Sequence, residues 1–146
     1  MKITEMSRTR LKRLLRAFRG RERVLVLTHD YPDPDSMASA VALKRLVERR
    51  LSIEVEIGFG GIVGRAENRA MVKAVKCPIR PIADLDLSTY QGFALVDTQP
   101  RTGNNSLPAG KIPDVVLDHH PLRPQTRRAR FHDVRTRFGA TATMMY

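Results

Sequence analysis

The run Val24–Ala40, VLVLTHDYPDPDSMASA, constrains this chain more than any other stretch. Val24-Leu25-Val26-Leu27 is a short apolar run rich in β-branched residues, as a strand buried on both faces requires. A polar turn follows at once and carries His29, Asp30, Asp33 and Asp35, with Pro32 and Pro34 stiffening it. Ser36–Arg50 then reads as a helix whose apolar face is Met37, Val41, Leu43, Leu46 and Val47. Acids and a histidine therefore sit at the carboxyl end of a buried strand, where open α/β sheets bind ligands. A plainer reading is a proline-ordered surface turn with Asp35 as N-cap. The added spacing of His29 four residues before Asp33, and of Asp35 two beyond it, favours a metal site.

With 146 residues the chain is long enough for one domain with a real core. Its one cysteine, Cys77, allows no intramolecular disulfide and fits a reducing cytosol, so a cytoplasmic location is expected. With no histidine near it in sequence, Cys77 reads as a small buried apolar residue. No apolar run is long enough to cross a membrane, and the N-terminus lacks a signal-peptide core. The charge is lopsided, with 26 Lys and Arg against 15 Asp and Glu, a net +11. Such a surface suits polyanions such as nucleotides, short oligonucleotides or phosphates. Aromatics are few, so a base-stacking platform is not expected.

Lys2–Arg19 has apolar residues at helical spacing among many cations and reads as an amphipathic helix on the sheet edge, ended by Gly20. A nucleic-acid-binding arm is the competing reading of that segment. Leu51–Gly58 alternates as a second strand, and Phe59–Gly64 is a glycine loop that matches neither a P-loop nor a dinucleotide fingerprint. Arg65–Val75 reads as a helix, Pro78–Asp86 as a short strand or turn, and Gly92–Asp97 as a buried strand ending on an acid. After a polar loop, Val115–Leu117 is a further strand that runs into Asp118-His119-His120-Pro121. Thr126–Val134 adds one more strand and Ala140–Tyr146 begins a helix. This alternation predicts an α/β fold, a doubly wound, mainly parallel sheet flanked by helices in a Rossmann-like arrangement.

Three strands thus end in His29 through Asp35, in Asp97, and in Asp118-His119-His120, and a parallel sheet brings such ends to one edge. Imidazole and carboxylate donors suit divalent first-row metals: Mn²⁺, with Mg²⁺ or Co²⁺ as alternatives. Carboxylates packed together without a cation raise one another's pKa, a cost that two metals sharing one bridging carboxylate would relieve.

HDYPDPD, ALVD and above all LDHHP, in this order, resemble the DHH phosphoesterase superfamily, and GATAT at Gly139–Thr143 resembles the start of the helix after its DHH motif. The likeness runs from about Val24 to the last residue and is nearest the RecJ-like and oligoribonuclease/pAp phosphatase branch. It implies a metal-dependent phosphoesterase acting on short oligonucleotides or nucleotides through two Mn²⁺ ions. By that resemblance His29, Asp33 and Asp97 would hold one metal, and Asp35, Asp97 and His119 the other. His120 would act on the substrate phosphate or a proton, with Asp118 orienting its neighbour. Arg65, Arg69, Arg101 and Asn104 are candidate phosphate contacts and equally ordinary surface or turn residues. His132 reads as structural.

The family also implies a further metal-ligand aspartate and a C-terminal DHHA1- or DHHA2-type domain beyond the GATAT-like helix. Neither falls within these residues, so the expectation is a basic helix over 1–20 packed on a catalytic half-enzyme over 21–146. A catalytically incomplete metal- or nucleotide-binding fragment, a cyclic-dinucleotide phosphodiesterase and a pyrophosphatase remain the alternatives. A nucleotide or short-oligonucleotide partner is implied, a membrane partner is not, and a homodimer is left open.

Overall fold

The computed structural model describes residues 4–146 and holds a six-stranded parallel sheet in the order β3-β2-β1-β4-β5-β6. The strands are β1 (Arg23–Leu27), β2 (Glu54–Phe59), β3 (Ile79–Pro81), β4 (Gly92–Val96), β5 (Val115–Asp118) and β6 (Phe131–Val134). The helices are α1 (Glu5–Ala17), α2 (Pro34–Arg50), α3 (Ala66–Ala74) and α4 (Thr141–Met145). The doubly wound parallel sheet expected from the alternation is the fold observed. Strand order reverses between β1 and β4, which makes the carboxyl ends of those two strands the topological switch point.

Period-two alternation sorts the strands between two cores. Val24, Val26, Val55, Ile57, Ala94 and Val96 face one side, where Leu43 and Val47 of α2 and Leu14 and Phe18 at the end of α1 cover them. Leu25, Leu27, Phe93, Leu95 and Val116 face the other. That second face is closed by Ile82, Leu85 and Leu87 from two short 3₁₀ turns and by Leu107 of a loop. Each fully buried Val, Leu or Phe contributes roughly 1.5–3 kcal/mol, so both layers matter to stability.

α1 lies along β6, with Arg13 over the Phe131 ring at 5.8 Å. Arg130 donates back to the Ala17 carbonyl at 3.2 Å, and Gly20 turns the chain with φ 80°. Lys2 and Ile3, the start of the helix expected there, lie outside the described residues. Asp114, buried at the amino end of β5, accepts from Arg21 at 2.8 and 3.1 Å and ties the bottom of the sheet to the segment after α1.

Two boundaries near the site differ from expectation. α2 starts at Pro34 because Asp33 is the N-cap: its carboxylate accepts from Ser36 N at 2.9 Å while Ser36 Oγ accepts from Asp33 N at 3.1 Å. Asp35 is therefore inside the first turn and not the cap. Of Thr126–Val134, only Phe131–Val134 is strand, since the preceding Pro124–Arg128 winds into a 3₁₀ turn with Pro124 at its start. Cys77 is buried, as expected, and burial pushes its thiol pKa up, which makes it a poor nucleophile. No helix among the described residues is long and apolar enough to cross a membrane.

Candidate metal centre

β1, β4 and β5 are neighbours, and each delivers its polar residues to the same edge. His29 follows β1, Asp97 follows β4, and Asp118-His119-His120 ends β5. Together with Asp33 and Asp35 they line one cavity of about 770 Å³ at the switch point. Every residue expected to bind metal is brought together there, and so are His120, expected to act on substrate, and Asp118, expected to orient it.

Asp97 is the centre of the group. It is 4 % exposed, and its two carboxylate oxygens face opposite histidines. Oδ2 lies 3.5 Å from His29 Nε2, and Oδ1 lies 3.3 Å from His119 Nε2. Asp33 Oδ1 is 3.6 Å from His29 Nε2, and Asp35 Oδ2 is 3.7 Å from His119 Nε2. The donor atoms of His29, Asp33 and Asp97 fall within 4.8 Å of one another, as do those of Asp97, His119 and His120. Asp97 also holds φ 59°, a left-handed backbone that a non-glycine residue adopts at a cost of order 1–3 kcal/mol. Thr141 Oγ1 donates to its Oδ1 at 2.9 Å and helps fix the carboxylate.

The histidine ring orientations match the donor set. His29 Nδ1 is 2.8 Å from the Asp30 carbonyl, and His119 Nδ1 is 3.2 Å from the Phe138 carbonyl. A carbonyl only accepts, so both Nδ1 atoms carry a proton and both Nε2 atoms are turned toward carboxylates. A lone pair facing a carboxylate is repelled unless a proton or a cation stands between them. The residues present fit a divalent cation on each side of Asp97, with oxygen and imidazole donors of the kind Mn²⁺ and similar ions take.

Without a cation the proton takes that role. Contact with Asp33, then with Asp97, lifts the His29 pKa from 6.5 to about 10 against the cost of burial. The same contact, chiefly with His29, lowers Asp33 well below the ordinary carboxylate range. In the metal-free protein the His29 contribution to stability is whole below pH 6.5 and lost as pH rises through about 10. The Asp33 contribution is present above pH 3.8 and lost as the solution turns more acid. A metal needs the neutral ring, so its binding must expel the proton. At pH 7, Mn²⁺ uptake is expected to release about one proton from His29, and affinity to rise roughly tenfold per pH unit toward the pKa. Calorimetry in buffers of different ionisation enthalpy measures the released proton; uptake without release contradicts the assignment.

Asp35 accepts from Thr141 N at 2.8 Å and Ala142 N at 2.7 Å, so it ties α2 to the start of α4. His120 is more open, its side chain 56 % exposed, and Nδ1 lies 2.8 Å from Asp118 Oδ1. That contact raises the His120 pKa above 6.5, with burial opposing it. Asp118 itself is buried and is held on its other oxygen by Gln99 Nε2 at 2.6 Å.

Gln99 is the residue that reading the sequence missed. It is 1 % exposed, and besides Asp118 its Nε2 donates to the Pro121 carbonyl at 3.0 Å. Its Oε1 accepts from Arg123 N and from Thr126 Oγ1, both at 2.8 Å. One amide thus fastens the loop after β4 to the loop after β5. The available signal was only its place two residues after a strand-ending acid. Gln99→Leu is expected to cost about 1–3 kcal/mol, because buried partners lose their bonds; a denaturant midpoint measures it.

The candidate phosphate contacts are dispersed. Asn104 lines the cavity, with its Oδ1 accepting from Thr98 at 2.7 Å and its carbonyl accepting from Asp30 N at 2.6 Å. Arg101 lines a neighbouring cavity instead. Arg65 is the exposed N-cap of α3 and lines neither. Arg69 is engaged by the Val63 and Gly64 carbonyls. His132 is exposed on β6, and Asp133 beside it is paired with Arg135.

Fold and site define a parallel α/β domain with an acid–histidine centre at its switch point. The family model for the DHH family, N-terminal domain, matches residues 23–146, and the chain belongs to that family. The uncharacterized protein MJ1633 of Methanocaldococcus jannaschii is 39% identical over 124 residues, which are 84% of this chain and 24% of that protein. The crystal structure of an exopolyphosphatase-related protein from Bacteroides fragilis superposes with a TM-score of 0.61 at 13% identity. That match covers 99% of this chain and 44% of the other and shows the shared fold. The chain therefore spans about a quarter of the length of the first protein and less than half of the second.

Proposed function

We propose that this domain is the metal-binding part of a phosphoesterase that hydrolyses phosphate esters of short oligonucleotides or nucleotides, with two Mn²⁺ ions sharing Asp97. The observation that carries this reading is the Asp97 carboxylate between His29 Nε2 at 3.5 Å and His119 Nε2 at 3.3 Å. His29 and Asp33 would complete one cation position, and Asp35 and His119 the other. Held there, such ions would supply a water of lowered pKa and positive charge against the phosphoryl oxygens.

The chain's own residues supply the rest. Asp97, buried and fixed by Thr141, holds one carboxylate oxygen toward His29 and the other toward His119 before any substrate arrives. His120 projects into the cavity and, with a pKa raised by Asp118, carries the proton a leaving oxygen needs near neutral pH. Asp118, pinned by Gln99, fixes the ring. Arg123 lines the same cavity and would offset substrate charge beside four carboxylates.

The test is hydrolysis by the Mn²⁺-loaded protein of short oligoribonucleotides and 3′-phosphoadenosine 5′-phosphate, compared with pyrophosphate and linear polyphosphate. The expected result is release of nucleotide or phosphate from the first two, abolished by a chelator. Turnover that survives chelation overturns the reading, and Mn²⁺ uptake without turnover of any of the four assigns a binding module instead.

A further inference from the structure

Beside the metal centre lies a second cavity, of about 350 Å³. Arg101, Lys111, Arg128 and Gln125 line it, and no carboxylate does. None of the three cations forms an ion pair among the described residues. Cations gathered with no acid repel one another and favour an anion between them.

The two cavities share their walls. In the loop after β4, Thr102 and Asn104 face the metal centre, whereas Arg101, Gly103 and Asn105 face the second cavity. In the segment after β5, Arg123 and Pro124 line the first and Gln125 and Arg128 the second. The loop is held rigidly: Asn105 Nδ2 donates to the Gln99 carbonyl at 2.9 Å, and so does Thr102 Oγ1, also at 2.9 Å. Arg101 is fixed in that turn at φ 60°, a left-handed conformation unusual for arginine. An outlier maintained beside a functional site points to a role for the side chain it aims.

The charge pattern separates two tasks. The metal cavity carries Asp33, Asp35, Asp97 and Asp118, which repel every substrate phosphate except one neutralised by cations. A chain with several phosphates needs a cationic surface for those not undergoing reaction, and the second cavity offers one a loop's width away. We infer that the cavity of Arg101, Lys111 and Arg128 is a subsite for a neighbouring phosphate of a short oligonucleotide whose scissile phosphate lies at the Asp97 centre. The inference rests on the proposed phosphoesterase reading and gives its substrate a minimum length: more than one phosphate.

The test is binding of labelled ribonucleotides of one to five residues, as hydrolysis-resistant phosphorothioates, to the wild-type chain and to the double variant Lys111→Ala/Arg128→Ala. Wild-type affinity is expected to rise with length, and the variant to lose about tenfold for the pentamer. Its dependence of log affinity on log salt should flatten by about 1.4, roughly 0.7 for each lost contact to single-stranded phosphate. Amide shifts induced by the pentamer in chelator should fall on residues 101–111 and 124–128. Unchanged length and salt dependence in the variant, or shifts confined to α1, overturn the subsite. Failure of the metal reading has a different signature, because Mn²⁺ uptake is then absent while the length dependence persists.

Discussion

Asp97→Asn is expected to abolish high-affinity Mn²⁺ binding at both positions while leaving the fold intact. Asparagine tolerates left-handed backbone better than most residues, so φ 59° at position 97 is no obstacle to the substitution. The amide keeps the volume and one acceptor for Thr141 Oγ1. It loses the negative charge and the second anionic oxygen, the features that face His29 and His119 together. Losing a group that merely supports a ligand costs about 10–100-fold in metal affinity, and losing a shared ligand should cost more at each ion. Calorimetric titration with Mn²⁺ reads the result. Loss of one ion with the other retained would mean that Asp97 belongs to a single position.

His120→Ala should leave Mn²⁺ stoichiometry unchanged and lower hydrolysis by about 10²–10⁴-fold, the usual share of a positioned acid or base. Nδ1 of His120 is taken by Asp118 at 2.8 Å and stands 4.0 Å from Asp97, farther than either metal-facing histidine. The raised pKa fixes the sign of the pH profile. A group that must carry its proton works below its pKa, so the wild-type rate falls as pH rises through a value above 6.5. That alkaline fall should be missing in the variant. The competing outcome is equally clear, since Asp97, His119 and His120 also form a compact donor group. If His120→Ala strips an ion, His120 is a ligand and the roles of the two adjacent histidines are exchanged.

The skeleton of this site was legible because it depends on local pattern. A β-branched apolar run ending in His29, another ending in Asp97 and a third ending in Asp118 are each visible in a few residues. Parallel pairing alone then gathers them at one edge. What escaped depends on distance along the chain. Gln99 has partners 19 to 27 residues away and carries no periodicity to mark it. Asp33 and Asp35 are both plausible caps two residues apart, and only the Ser36 hydrogen bonds show that Asp33 caps α2 while Asp35 reaches α4. The lower layer was equally hidden, since Ile82, Leu85 and Leu87 sit in 3₁₀ turns that follow neither helical nor strand spacing. Arg65 stands out in the sequence by charge alone, and charge on a chain of net +11 says little about place.

The most direct test of a shared Asp97 is crystallographic: anomalous scattering at the manganese edge from crystals grown with Mn²⁺. Two peaks flanking Asp97 are expected, one against His29 and Asp33 and the other against His119 and Asp35. A single peak away from Asp97, or none at saturating Mn²⁺, would contradict it.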